Sequence, residues 1–315
     1  MKDFFAQIQK AKTIGITGHI HPDGDCVGSC LALRQYITEH YPGKTVDVYL
    51  EPIGSEFLFL SGSEKILTDP KKDVSYDLFF VLDCSSEDRY HPFCGMVRNA
   101  EVVFCIDHHI SNQGLGNYCK ADSKASATCE VLCDLFPMDQ ISEKCAECLY
   151  TGIVHDTGVF KHSNTTKKTM IYAGELMEKG VPHSKIIDET FFQKTYIQNL
   201  VLGKALLNSR LFCGGAVIFA SLSQEELDEL HASPADLNGI IDQLRITKDV
   251  ETAVFVYPLD DGGKKVSMRS NGKVNVASIA QEFGGGGHIL AAGCTVFGDV
   301  EEVREQLFQK IKIQL

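Results

Sequence analysis

Residues 102–109 read VVFCIDHH: five apolar residues, Val102-Val103-Phe104-Cys105-Ile106, run straight into Asp107-His108-His109. An apolar run without alternation suits a strand buried on both faces, as in a parallel sheet. Two more runs share this form. Residues 14–17 (Ile-Gly-Ile-Thr) lead to Gly18-His19, and residues 78–82 (Leu-Phe-Phe-Val-Leu) lead to Asp83. Three strands ending in Asp and His predict one shared site beyond their carboxyl ends, where open α/β sheets bind ligands.

Working outward, strands are expected at 13–17, 45–50, 77–82 and 102–106, and helices at 26–40, 126–136 and 142–154. This alternation predicts an α/β fold with an N-terminal doubly wound, mainly parallel sheet. Residues 165–179, 183–189 and 196–208 read as helices, the last bridging to a second region. There the pattern restarts, with strands at 216–222, 252–257 and 264–269 and helices at 224–230, 235–244 and 301–313. Asp261-Gly262-Gly263 is a hairpin signal, and Gly284–Gly287 reads as a turn. The expected division is a catalytic domain over 1–194, a linker helix over 195–212 and a smaller α/β domain over 213–315.

Composition narrows the function. The chain has 315 residues, is 44% hydrophobic and carries a net charge of −12. That charge argues against a broad basic face for long nucleic acid. No apolar run reaches the roughly 20 residues of a membrane helix. The N-terminus lacks a signal-peptide pattern, and the twelve cysteines lie scattered in apolar segments, so a reduced, cytoplasmic protein is expected. Cys145 and Cys148 form a lone CxxC inside a helical pattern, too few ligands for structural zinc.

Four segments carry the chemistry. His19-Ile20-His21-Pro22-Asp23-Gly24-Asp25 offers two carboxylates and two imidazoles after a strand. They suit a divalent metal or, for Asp25, a helix N-cap; His21 is expected outside the ligand set. Asp83 ends so apolar a strand that leaving it unpaired would be costly. Arg89 could neutralise it, contact phosphate or form a surface ion pair. In Asp107-His108-His109 neighbouring side chains diverge, so one His would ligate and the other face substrate, with Asp107 orienting. Asp156 ends an apolar helical pattern, where a plain terminal acid is the simpler reading.

Together, these four segments resemble the DHH phosphoesterase superfamily in order and spacing: His19, Asp23 and Asp25; Asp83; Asp107-His108-His109; and Asp156. The resemblance implies that His19, Asp23 and Asp83 hold one metal ion. Asp25, Asp83, His108 and Asp156 would hold a second, with Asp83 bridging. It further implies that His109 contacts the scissile phosphate, making His109, Asp107 and Asp83 the catalytic group. Manganese is expected, since two ligands are imidazoles, with magnesium as the alternative.

The second region extends the likeness. Val266-Ser267-Met268-Arg269-Ser270, followed by Gly284–Gly287 and His288, resembles the DHH-associated substrate-binding domain. The resemblance gives Arg269, Ser270, Gly285, Gly286, Gly287 and His288 as substrate contacts across a cleft. Within the superfamily the chain looks most like enzymes that degrade short oligoribonucleotides and dephosphorylate adenosine 3′,5′-bisphosphate. The expected partners are short single-stranded RNA or 3′-phosphorylated nucleotides, without long nucleic acid or membrane; a homodimer is left open by the sequence. Alternatives are a cyclic- or linear-dinucleotide phosphodiesterase, an inorganic pyrophosphatase, or an inactive nucleotide-binding regulator.

Overall fold

A computed structural model describes residues 2–71 and 74–315. It divides into two compact units, Met1–Gln193 and Lys194–Leu315.

In the first unit, α1 (Lys2–Lys10) precedes β1 (Thr13–Thr17), α2 (Gly24–His40), β2 (Thr45–Tyr49), β3 (Ile66–Leu67) and β4 (Leu78–Leu82). Then follow α3 (Cys94–Arg98), β5 (Val103–Asp107), β6 (Tyr118–Ala121), α4 (Thr128–Leu135), α5 (Glu143–Asp156), α6 (Lys167–Glu178) and α7 (His183–Ile187). The six strands lie in the order β3-β2-β1-β4-β5-β6, and every pairing is parallel. The chain moves from β1 to β2 on one side and resumes on the other at β4, so β1 and β4 flank the switch point where such sheets open a crevice.

The unbroken apolar strands serve two cores. Phe80 and Leu82 of β4 join Ile14 and Ile16 beneath α2 and α5. Phe79 and Val81 face Tyr49, Phe93 and Met96 on the opposite side. Full burial stabilises such side chains by roughly 1.5–3 kcal/mol each, enough to hold the hydrophilic strand ends in register. Helix α2 is buried along most of its length. Close packing against α5 depends on glycine. A Cβ on Gly28 would lie 2.5 Å from the Cys148 carbonyl, and one on Gly152 would lie 2.7 Å from Asp25 Oδ1.

The second unit contains α8 (Tyr196–Asn208), β7 (Arg210–Phe212), β8 (Val217–Ser221), α9 (Gln224–Glu229), α10 (Ile240–Arg245), β9 (Thr252–Pro258) and β10 (Lys264–Ser270). It ends with α11 (Val276–Glu282), β11 (Gly286–His288), β12 (Ala291–Val296) and α12 (Val300–Gln314). Its sheet runs β11-β12-β10-β9-β8-β7, antiparallel except between β8 and β9. Helices α11 and α12 cover one face, and α8 and α10 the other.

Several expectations change. Helix α8, read as a bridge, buries Val201 and Ala205 against Ile218 and Ala220 and so belongs to the second core. The helix expected at 235–244 is two pieces, a 3₁₀ turn at Pro234–Leu237 and α10, because Gly239 turns left-handed at φ 85°. The helix at 183–189 passes into a π-turn at Asp188–Phe192. The glycine segment is only partly a turn. Gly286 and Gly287 form edge strand β11, paired with Gly293 and Ala292 of β12. Strands β3, β6, β7, β11 and β12 and helix α11 had no counterpart in the sequence pattern.

Candidate metal centre

The site is built at the carboxyl ends of β1, β4 and β5. His19 follows β1, and its Nδ1 lies 2.8 Å from the Ile20 carbonyl. Donation there leaves the Nε2 lone pair inward, 3.5 Å from Asp23 Oδ1 and 3.4 Å from Asp83 Oδ2. Asp23 caps α2 by accepting the amides of Asp25 and Cys26, so the capping role predicted for Asp25 falls to Asp23. Its neighbour Asp25 is fully buried and turns the other way. Its carboxylate accepts Thr128 N at 2.6 Å and Cys129 N at 2.9 Å, at the N-terminus of α4. An anion there satisfies orphan amides and meets the positive end of the helix dipole.

Asp83 sits at the centre, 3% exposed, with φ 55°. The left-handed backbone is unusual for a residue with a side chain, and strain of this kind concentrates at functional sites. Its two oxygens face different partners. Oδ2 addresses His19, while Oδ1 lies 3.6 Å from His108 Nε2 and 3.6 Å from His109 Nδ1. Thr128 Oγ1 also donates to Oδ1, at 3.0 Å.

His108 presents Nε2 to Asp156 at 3.0 Å and to Asp25 at 4.0 Å, and its Nδ1 lies 3.4 Å from the Ala125 carbonyl. The sets His19-Asp23-Asp83 and Asp25-His108-Asp156 each place three ligand atoms within 4.8 Å of one another, as does Asp83-His108-His109. The donors are carboxylate oxygens and imidazole nitrogens, a set that suits a divalent cation and includes none of the thiolates that soft metals prefer.

Electrostatics show that the cluster calls for cations. Burial, then the charges of Asp83 and Asp156, push the Asp25 carboxyl well above its usual range. Burial, then Asp83, likewise raises Asp156 despite the adjacent His108. For His19, burial opposes the charged form, but Asp23 and Asp83 prevail and push it up to about 12. The same contest raises His108 to about 10, with Asp156 its main partner. Without metal, the acids draw protons onto the imidazoles; a bound divalent ion would replace them.

Asp107 has another task. Its Oδ1 lies 2.7 Å from His109 Nδ1 and also accepts the His108 and His109 amides. His108 enters the acidic cluster through Nε2, while Asp107 holds His109 at Nδ1 with Nε2 uncommitted; against expectation the two rings do not diverge, since their centroids lie 4.7 Å apart and both approach Asp83 Oδ1. Asn112 completes the arrangement by donating to Asp107 Oδ2 at 2.7 Å.

Among the other expected residues, His21 is 88% exposed and paired with Glu51, outside the cluster. Arg89 is exposed, and its carbonyl accepts the Ile20 amide. In the second unit, Arg269 Nε pairs with Asp242 at 3.1 Å. Ser270 departs from the expected substrate contact: its hydroxyl is buried and donates to Glu251 at 3.0 Å, so it anchors the following turn. Gly285 and Gly287 are required by close packing, since added Cβ atoms would lie 2.2 Å from the Gly293 carbonyl and 2.4 Å from the Ala291 carbonyl. Gly286 and His288 are exposed on the edge strand. Sequence reading missed Thr128, Asn112 and the Gly28–Gly152 contact. The first had a signal: it opens a helix with free amides.

A parallel sheet that gathers four carboxylates and three imidazoles at its switch point defines a class, the hydrolases of phosphate ester bonds. The DHH family N-terminal domain matches residues 13–153 and the DHHA1 domain residues 214–313. The chain belongs to the DHH family. It is 30% identical over 308 residues to the bifunctional oligoribonuclease and PAP phosphatase NrnA of Thermus thermophilus, covering 96% of this chain and 90% of the relative. The crystal structure of an exopolyphosphatase-related protein from Bacteroides fragilis superposes with a TM-score of 0.87 at 24% identity, covering 99% and 95% of the two chains. Exonuclease RecJ bound to manganese shares the fold at a TM-score of 0.51 and 12% identity, covering 99% and 92%. No helix among the described residues is long and apolar enough to cross a membrane.

Proposed function

We propose that this protein is a cytoplasmic two-metal phosphoesterase that hydrolyses dinucleotides and other very short oligoribonucleotides to mononucleotides, and adenosine 3′,5′-bisphosphate to AMP. The observation that carries the reading is Asp83, whose two oxygens address separate donor sets. His19, Asp23 and Asp83 would hold one manganese ion, and Asp25, Asp83, His108 and Asp156 the other. Two such ions supply an activated water and neutralise charge on the phosphate. The protein's own groups do the rest. His109, held at Nδ1 by Asp107, directs Nε2 to the scissile phosphate or its leaving oxygen. Arg269, the Gly285–Gly287 backbone and His288 bind the substrate's phosphate or base, with Arg269 exchanging Asp242 for the ligand.

The preference for short substrates rests on charge. Residues 211–315 carry 9 Lys and Arg against 15 Asp and Glu, a net of −6. Long strands bind through many phosphate contacts, and this region has few cations for them. The Thermus relative, which carries both activities in its name, supports the same substrate class. The test is product analysis with manganese, using a 5′-phosphorylated dinucleotide, a 24-mer, adenosine 3′,5′-bisphosphate, a cyclic dinucleotide and pyrophosphate side by side. Mononucleotides from the dinucleotide and AMP from the bisphosphate are expected, with lower kcat/KM on the 24-mer. Turnover confined to pyrophosphate or to the cyclic dinucleotide would overturn the proposal.

A further inference from the structure

Cys105 and Cys119 are paired neighbours on the parallel strands β5 and β6. Adjacent strands lie roughly 4.7–4.9 Å apart, within the 4.4–6.8 Å Cα separation, approximately, that a disulfide spans. Both side chains converge on one amide. Asn112 Nδ2 donates to Cys105 Sγ at 3.4 Å, and Cys119 Sγ donates to Asn112 Oδ1 at 3.6 Å. Cys105 is buried and Cys119 exposed, giving one sulfur that meets solvent and one that waits behind it. Cys26 and Cys30 also neighbour each other in α2, but both are buried away from an oxidant.

We propose that Cys105 and Cys119 form a reversible disulfide with hydrogen peroxide, and that this crosslink slows the enzyme through Asn112. The Cys119 thiolate attacks the peroxide and breaks its O–O bond, keeping one oxygen as sulfenic acid and releasing the other as water. Cys105 then displaces the retained oxygen as a second water, forming the S–S bond. Two thiols and one peroxide give one disulfide and two waters, with two electrons passing from sulfur to oxygen. The Cys119 thiol is fit for the first step, since neighbouring Cys105 lowers it to about 7, whereas Cys119 and then burial push the Cys105 thiol up, which leaves Cys105 to react second.

The crosslink reaches the site because Asn112 is shared. The amide that meets both sulfurs also donates to Asp107, whose other oxygen holds His109. Closing the S–S bond removes the Cys119 donor and pulls both sulfurs together, so Asn112 must shift and Asp107 follows. Disturbing such an outer partner typically costs about 10–100-fold in activity. The effect on turnover rests on the phosphoesterase reading, whereas the crosslink itself does not.

The test exposes the manganese-loaded protein to hydrogen peroxide and maps unreduced peptides by mass spectrometry. A Cys105–Cys119 linked pair that dithiothreitol releases is expected. With it, kcat should fall at least tenfold at unchanged manganese content and recover on reduction. Cys119→Ser, which keeps a hydroxyl donor for Asn112 Oδ1, should retain basal activity and resist peroxide. Sulfinic acid at Cys119 without a link, a link with full activity, loss of manganese on crosslinking, or inactivation of Cys119→Ser as of wild type would each overturn the proposal. If neither oxidised nor reduced protein cleaves any phosphate ester, only the functional reading fails, because the peptide map still decides the crosslink.

Discussion

Gly152→Ala adds one methyl to the core of α5, and two effects of opposite sign compete over it. As a helix residue, Ala is favoured over Gly by about 1 kcal/mol. The methyl, however, would stand 2.3 Å from Cys129 Sγ, 2.7 Å from Asp25 Oδ1 and 3.1 Å from Asp25 Cα. Ordinary carbon contacts lie near roughly 3.5–4.0 Å, so α2 and α5 must separate by up to about 1 Å. Overpacking of this kind costs about 1–3 kcal/mol, leaving a net loss of about 0–2 kcal/mol. The larger consequence is catalytic. Asp25 sits on one of these helices and Asp156 at the end of the other, and both face His108. A misplacement of about 1 Å can lower a rate by about 100-fold. Urea unfolding, kcat on a dinucleotide and calorimetric manganese titration measure the three effects. A variant stabilised by about 1 kcal/mol with kcat within about twofold of wild type would show that the helices do not need this glycine.

Asp83→Asn keeps the side-chain volume but leaves one oxygen for two donor sets; kcat should drop by at least about 100-fold, roughly 2.7 kcal/mol in barrier, and retention of about a tenth of the rate would sink the two-metal assignment. Chelation should abolish turnover and lower Tm, because an ion bound only by the native state stabilises it; manganese should restore activity better than magnesium, and full activity in excess chelator would contradict this. Arg269→Ala should chiefly raise KM for nucleotides, and an unchanged KM would make the Asp242 pair purely structural. Asp77 accepts the Lys12 and Thr13 amides, which hold its carboxyl below the ordinary range. A depressed folded value stabilises above the unfolded pKa near 3.8 and is lost as pH falls through the folded value, so the stability gap between wild type and Asp77→Asn should be present at pH 6 and shrink below about pH 4.

Strands buried on both faces were legible because apolar runs as short as residues 78–82, closed by hydrophilic residues, are too brief for a buried helix, and the acids and imidazoles that end them marked the site. Edge elements were not. Tyr118–Ala121 is half-exposed and mixed in composition, so its pairing with β5 is decided by the sheet and not by its own pattern. The 235–244 misreading has a local cause, a left-handed glycine that ends one turn before the next begins. Chemical types identified the cluster, but the groups that aim it are backbone amides and a hydroxyl. Neither the Thr128 and Cys129 amides on Asp25 nor the Thr128 hydroxyl on Asp83 has a sequence signature beyond a helix start. Gly28 and Gly152 were hidden for a similar reason, since a glycine declares its purpose only through what lies against it.

The order in which the cluster's pieces leave the ribosome has its own consequence. By residue 109 a nascent chain has made His19, Asp23, Asp25, Asp83, His108 and His109, yet the amides that receive Asp25 belong to Thr128 and Cys129, and Asp156 comes later still. Until then, mutually repelling acids lack the helix end and the last ligand that hold them in place. Parallel sheets already close slowly because their contacts are distant in sequence. The centre therefore matures as a late event, and manganese supplied during synthesis should favour the finished N-terminal unit over its truncated intermediates.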